Sequence, residues 1–181
     1  MKRAFFLLVF KIWGWKVIGD FEPGQKKSVV VVAPHTSSID VPVGVCARAI
    51  RRLDIKFLGK KELFTGIRGA LLKYLGGYPV DRSKNTNLVD AVVDIFNREE
   101  TFNLCITPEG TRKYAEKWKT GFYYMAMKAR VPIVMIGFDY KKKEVQIQPP
   151  FTPTGNFEQD LAFIKGYFKG VTGRIPAYGV H

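Results

Sequence analysis

The chain has 181 residues, of which 46% are apolar, 14% aromatic and 25% charged, and its formal net charge is +13. A disordered chain would be poorer in aromatic and β-branched residues, and Cys46 and Cys105 are too few for a disulfide scaffold. A single globular domain is therefore the default at this length. The positive charge predicts an anionic partner, and nucleic acid, an anionic membrane, an acidic carrier protein and a phosphorylated substrate would all fit.

Residues 1–19 form an apolar segment that basic residues interrupt. Residues 4–10 are uncharged, and two tryptophans and two lysines follow within residues 11–16. The segment is too short to span a bilayer, which takes about 20 consecutive apolar residues, and it lacks the small-residue cleavage site of a secretory signal. Aromatic side chains among lysines favour an amphipathic helix at a membrane interface, ahead of a domain over 20–181. A helix packed on the protein's own core would show the same pattern, so both interpretations stay open.

Further along, β-branched runs alternate with segments of helical periodicity. In chain order the pattern predicts strand 28–33, helix 39–51, strand 55–58, helix 60–75, strand 78–81, helix 86–97, strand 102–107, helix 121–130, strands 132–137 and 144–148, and helix 157–168. This alternation predicts an α/β fold, a single domain with a mostly parallel sheet flanked by helices. The last two strands can pair antiparallel across the lysine-rich turn 141–143, so we expect a mixed sheet.

The predicted helix 60–75 carries both apolar and basic side chains. Leu63, Ile67 and Leu71 recur along it, with Arg68 and Lys73 among them. Such a helix could contact lipid or the acidic helix of a carrier protein. The alternative, which we favour on sequence grounds, is that its apolar stripe packs on the sheet while its basic residues are solvated.

A first polar cluster follows strand 28–33, at the end of the strand where open α/β sheets place their ligands. His35 leaves this strand, and Asp40 comes five residues later in the first turn of the next helix. The chain can fold back there and bring the carboxylate to the imidazole, which fixes the tautomer and leaves the second ring nitrogen as a base. The alternative is a histidine that merely ends a strand and an aspartate that the helix N-terminus stabilises.

Two further clusters come directly after strands 78–81 and 102–107. Arg82 follows the first of these strands. The second cluster combines an acidic residue, a glycine, a hydroxyl and a guanidinium, namely Glu109, Gly110, Thr111 and Arg112. Paired guanidinium donors, and a glycine that lets the backbone approach closely, suit a phosphate. Each cluster also has a plainer interpretation. Arg82 could simply pair with a nearby aspartate, and residues 109–112 could form a solvated turn.

In this order and approximate spacing, the clusters resemble the motifs of the glycerolipid acyltransferases, which acylate glycerol 3-phosphate or lysophosphatidic acid. His35 and Asp40 match the first motif, H-x-x-x-x-D. The other matches are Gly76 and Arg82 at the ends of the second motif, residues 109–112 with the third in full, and residues 131–134 with the start of the fourth. Four motifs in order are far more specific than any one of them. The resemblance spans residues 28–137 and implies a glycerol-3-phosphate acyltransferase-like fold.

The resemblance also implies a reaction. A fatty acyl group would move from a thioester of acyl carrier protein or coenzyme A to a hydroxyl of a lysophospholipid-type acceptor such as 1-acylglycerol 3-phosphate. His35 would remove the hydroxyl proton while Asp40 orients the imidazole, and no acyl-enzyme would form. Glu109 would accept a hydrogen bond from the acceptor's free hydroxyl or orient an arginine. The residues that would hold the acceptor phosphate are Arg82, Gly110, Thr111 and Arg112.

We expect no cofactor beyond the acyl-coenzyme A or acyl-carrier-protein substrate. One internal histidine and the absence of a C-x-x-C pair give little basis for a metal site, and both cysteines are expected to be inert thiols. We further expect a peripheral protein bound to anionic lipid on the cytoplasmic face of the cell membrane.

Three alternatives stay open. The same His–Asp pair could acylate an amine or a hydroxyl of another lipid head group, since attack by nitrogen also requires loss of a proton. A hydrolase would use the pair to activate water, although water needs no arginine clusters. A nucleic-acid-binding protein would account for the charge, but the sequence has no recognised binding motif, so we expect no nucleic-acid partner.

Overall fold

The structure, a computed structural model, describes residues 3–80 and 87–181. Its strands are β1 (Lys16–Ile18), β2 (Lys27–Ala33), β3 (Ile55–Lys60), β4 (Gly77–Val80), β5 (Phe102–Ile106), β6 (Ile133–Asp139) and β7 (Glu144–Ile147). Its α-helices are α1 (Arg3–Trp13), α2 (Asp40–Arg51), α3 (Gly66–Tyr74), α4 (Leu88–Arg98), α5 (Gly121–Ala129) and α6 (Phe157–Lys169). Within this range the strands form one sheet, in the order β1-β7-β6-β2-β5-β3-β4.

The central strand β2 pairs in parallel with both β5 and β6, and β6 pairs antiparallel with β7. This confirms the single α/β domain with a mixed, mostly parallel sheet. Side chains alternate along β2, so Val29 and Val31 face a layer made of α4, α5 and α6, whereas Val30 and Val32 face α1 and α2. The two layers bury β2 on both faces, which explains its unbroken β-branched sequence.

The edge strand β1 is absent from the sequence prediction. It pairs in parallel with β7, and Lys16 Nζ lies 2.9 Å from Glu144 Oε1 across that pairing. A segment of three residues is too short to show the alternation of a strand, and its partner β7 lies far away in the sequence. Only the assembled sheet therefore defines this strand.

The predicted single helix 60–75 is wrong. Lys60 ends β3, residues 61–64 form a 3-10 turn, and α3 begins at Gly66, whose φ is +56°. The cause is Phe64, whose ring lies against Gly59 and Gly77 so closely that a Cβ at either glycine would lie 2.7 Å from it. The chain must turn sharply to seat this ring between two strands, and that turn interrupts the helix.

The N-terminal helix α1 has one packed face and one exposed face. Phe10 is only 2% exposed and lies in the same apolar cluster as α2, whereas Phe5, Leu8 and Ile12 are exposed. The inner face thus packs on the core, as one of the two interpretations predicted, and membrane contact of the outer face stays a prediction. Within residues 3–80 and 87–181, no helix combines the length and the apolar character needed to cross a bilayer.

Candidate active site

Asp40 is the centre of a buried hydrogen-bond network where β2 leads into α2. His35 Nδ1 lies 3.0 Å from Asp40 Oδ2, and the Asp40 side chain is only 1% exposed. The same oxygen accepts from the backbone N–H groups of Thr36 and Ser37, each at 2.9 Å. The contact that the five-residue spacing predicted is therefore present. Because a carboxylate accepts hydrogen bonds, Nδ1 of His35 carries the proton and Nε2 stays available to a substrate.

The second oxygen of Asp40 has a partner that sequence reasoning missed. The Tyr140 hydroxyl donates to Asp40 Oδ1 at 2.6 Å, and Trp15 packs edge-on against the Tyr140 ring at a centroid distance of 4.9 Å. Burial and the hydrogen bond to Asp40 raise the pKa of Tyr140 above its ordinary range, so the phenol keeps its proton. The sequence shows only that Tyr140 follows a predicted strand, and it is the structure that pairs this strand with β2.

Glu109 contacts the backbone of His35. Both of its carboxylate oxygens lie 3.1 Å from the His35 backbone nitrogen, which donates to them. Burial raises the pKa of Glu109 to about 7, although the hydrogen bond from His35 opposes this shift. Because β5 and β2 are parallel neighbours, their carboxyl ends meet, and Glu109 fixes the backbone of the residue whose ring Asp40 orients.

The loop after Glu109 is open to solvent. Gly110, Thr111 and Arg112 are exposed, and Gly110 has a φ of +63°. The Lys119 side chain crosses Gly110 so closely that a Cβ there would lie 2.6 Å from Lys119 Cε. Lys119 thus adds a cation next to Gly110, which the motifs did not indicate. Arg82, the remaining predicted phosphate ligand, lies outside the described residues.

An apolar cavity of about 380 Å³ adjoins the His35–Asp40 pair. It lies between the sheet and the helices α2 and α3, and both polar residues contribute to its wall. Most of the wall is aliphatic, including Val30, Val32, Val45, Ile55, Leu72 and Leu75. Cys105 also lines the cavity, and burial raises its pKa to about 12, which disfavours a reactive thiolate. The arrangement places a base in the wall of a space suited to a hydrocarbon chain.

Across the part of the chain that the structure describes, no group of three or more His, Cys, Asp or Glu side chains is placed to hold a metal ion. The chemistry that this site offers is proton transfer at His35 Nε2, next to an apolar chain-binding space.

Comparison with known proteins identifies the family. The family model described as Acyltransferase matches residues 16–139. The chain belongs to this family. The human 1-acyl-sn-glycerol-3-phosphate acyltransferase beta is 30% identical over 118 residues, which are 62% of this chain and 41% of the human protein. The chain therefore spans about two fifths of that relative's length.

A solved structure is similar to this acyltransferase-family chain over most of its length. The crystal structure of the 1-acyl-sn-glycerophosphate (LPA) acyltransferase PlsC from Thermotoga maritima matches with a TM-score of 0.60 at 19% identity, covering 93% of this chain and 75% of that one. At that identity the likeness shows the fold. The family and fold that the motifs implied are confirmed, while the roles of single residues stay predictions.

Proposed function

We propose that the protein transfers a fatty acyl group from an acyl thioester to a hydroxyl of a lysophospholipid-type acceptor such as 1-acylglycerol 3-phosphate. The observation that carries the proposal is the His35–Asp40 pair, joined through His35 Nδ1, in the wall of the apolar cavity. The human relative and the Thermotoga protein are both named for acyl transfer to a 1-acylglycerol phosphate, which supports this class of acceptor.

In the proposed reaction, His35 Nε2 takes the proton of the acceptor hydroxyl as its oxygen attacks the thioester carbonyl carbon. Asp40 accepts from Nδ1–H throughout and stabilises the imidazolium that forms. The tetrahedral intermediate then collapses, the carbon–sulfur bond breaks, and the leaving sulfur takes the proton from the imidazolium. His35 returns to its neutral form, so the cycle needs no acyl-enzyme.

The remaining elements of the site divide between the two substrates. The apolar cavity would take the acyl chain of the thioester, whether coenzyme A or acyl carrier protein delivers it. The exposed loop 110–112, with Arg82 and Lys119, would bind the acceptor phosphate through guanidinium, ammonium, hydroxyl and backbone donors. Glu109 would keep the backbone of His35 in place while the acceptor binds.

The proposal includes a location on the cytoplasmic face of the cell membrane. Phe5, Leu8 and Ile12 on the outer face of α1 are exposed, and Lys11 and Lys16 lie near them in the sequence. Exposed apolar side chains beside lysines suit a helix in the headgroup region of an anionic leaflet.

The test is an assay of the purified protein with labelled palmitoyl thioesters of coenzyme A and of acyl carrier protein. We expect a diacylated product when 1-acylglycerol 3-phosphate is present, and none from the His35→Ala variant. Acyl release at the same rate without an acceptor would indicate a hydrolase instead. Preferred acylation of an amine-bearing lysolipid would place the acceptor in another lipid class.

A further inference from the structure

The helix α3 turns an apolar ridge outward, contrary to the packing that we favoured on sequence grounds. We define the α3 ridge as Ile67, Ala70, Leu71 and Tyr74. Ile67 is 91% exposed, Leu71 is 57% exposed and Tyr74 is 59% exposed, so the ridge does not pack on the sheet. At 3.6 residues per turn, these three large side chains fall within an arc of about 60°.

The buried side of α3 explains this orientation. Gly69 is the one buried residue of the helix. A Cβ at Gly69 would lie 2.2 Å from the carbonyl carbon of Phe64, so only glycine allows this close approach. The face that lacks a side chain packs inward, and the apolar face of the helix is left to solvent.

Basic residues lie on both sides of the α3 ridge. Arg68 and Lys73 are exposed and point to opposite sides of it, at about 100° or more from Ile67. Lys60 and Lys61, just before the helix, are also exposed, and Glu62 is the acidic residue of this stretch. Long basic side chains that flank an apolar ridge can reach phosphates while the ridge lies deeper, as in helices at a membrane surface.

The position of α3 relates this surface to the cavity. Leu72 and Leu75, on the inner side of the helix and just after it, line the cavity together with Val41 of α2. Arg48 of α2 donates to the backbone oxygens of Leu75 and Tyr74, which ties the two helices together. The α3 ridge therefore lies on the outer side of a helix whose inner side helps to line the cavity.

We propose that the α3 ridge docks on an anionic lipid leaflet, with Arg68 and Lys73 at the level of the lipid phosphates. This contact holds the α2–α3 side of the cavity against the membrane, which supplies the lipid substrate. An acidic carrier protein is the competing partner. Lipid fits better because the cations flank the ridge while its centre is apolar along the whole length of the helix. Docking can be measured without substrates, so it does not depend on the proposed reaction.

The test is sedimentation of the protein with vesicles of phosphatidylglycerol and phosphatidylcholine. We expect Ile67→Ser and Leu71→Ser each to weaken binding about tenfold, since each removes an exposed aliphatic side chain that would be buried in the bilayer on docking. The matched control is Phe163→Ser, because Phe163 is an exposed aromatic residue on α6, over the other face of the sheet. Circular dichroism checks that each variant is folded.

A second pair of variants tests the charge. Arg68→Gln and Lys73→Gln should each weaken binding several-fold on anionic vesicles and leave binding to pure phosphatidylcholine vesicles unchanged, while Lys169→Gln on α6 has little effect on either. Wild-type binding by the Ile67→Ser variant would overturn the proposal, as would a wild-type protein that does not bind vesicles. Vesicle binding that stays unchanged, with a raised KM for acyl carrier protein thioesters alone, would assign the ridge to the carrier.

Discussion

The Tyr140 hydroxyl donates to Oδ1 of Asp40 at 2.6 Å, although the two residues lie 100 positions apart in the chain. The other oxygen, Oδ2, takes His35 Nδ1 and two backbone N–H groups. Both oxygens of this buried carboxylate thus accept hydrogen bonds, one on Oδ1 and three on Oδ2. The carboxylate cannot rotate without breaking one of these bonds, so Tyr140 helps to fix the orientation of the His35 ring.

Replacing Tyr140 with phenylalanine should lower kcat about tenfold and leave the KM of both substrates unchanged. A hydrogen bond to a charged group contributes about 1.5–3 kcal/mol, and here the loss loosens the residue that orients His35. Steady-state kinetics with separate kcat and KM values provide the measurement. Tyr78→Phe is the control, because Tyr78 donates to Glu99 at 2.7 Å, outside the site. Equal losses in the two variants would remove Tyr140 from the positioning network.

Asp40→Asn should reduce turnover by a factor on the order of a thousand. Both oxygens of Asp40 accept hydrogen bonds, and the NH₂ group of an asparagine would replace one of these acceptors with a donor. Asp160→Asn is a matched control. Asp160 is buried and accepts from the Tyr123 hydroxyl and from the backbone and side chain of Thr154, each at 2.8 Å. Urea unfolding should show a stability loss in both variants. Turnover near the wild-type value in Asp40→Asn would refute its role.

Arg112→Ala should raise the acceptor's KM about tenfold while kcat changes little, because the arginine would bind the phosphate equally in the ground state and the transition state. Lys113→Ala removes the same charge from the neighbouring exposed position and serves as the control. Acceptor titrations at saturating thioester give both constants. An unchanged KM in Arg112→Ala would mean that the acceptor phosphate is not bound at this loop.

Glu109→Gln should change how stability depends on pH. Burial raises the pKa of Glu109 to about 7, whereas the unfolded chain loses this proton near 4.5. Between these values the folded chain binds the extra proton, so the free energy of unfolding falls as the pH rises, by about 3 kcal/mol for this group. Urea unfolding at pH 4.5 and pH 7.5 should show this loss in the wild type relative to the variant. A difference that stays constant with pH would contradict the buried, raised-pKa carboxyl.

Sequence reasoning predicted those parts of the fold and site that depend on local pattern. The β-branched run of β2 and the five-residue spacing of His35 and Asp40 are both local, and both predictions agree with the structure. The bond from the His35 backbone to Glu109 joins residues 74 positions apart. The short strand β1 likewise needs β7 beside it. Such contacts depend on how strands are ordered in the sheet, which no local pattern specifies.

Sequence reasoning missed the helix break before α3 for a different reason. The composition of 60–75 favours a continuous helix. In the structure, packing of the Phe64 ring against Gly59 and Gly77 outweighs this local preference. That choice depends on two glycines on separate strands, which become neighbours only when β3 and β4 pair. Helical periodicity identified the apolar stripe of Ile67 and Leu71, but it could not show that this stripe faces solvent rather than the sheet.

The edge-on contact of Trp15 with Tyr140 has a practical consequence for anyone who shortens the chain to improve its solubility. Trp15 also packs near Phe10, at a centroid distance of 6.2 Å, so the N-terminal segment forms part of the support behind the Asp40 network. A version that starts after residue 19 would lose α1, whose outer face we propose to contact lipid, together with the aromatic support for Tyr140. Reduced turnover of such a truncation in detergent solution would therefore not measure membrane attachment alone.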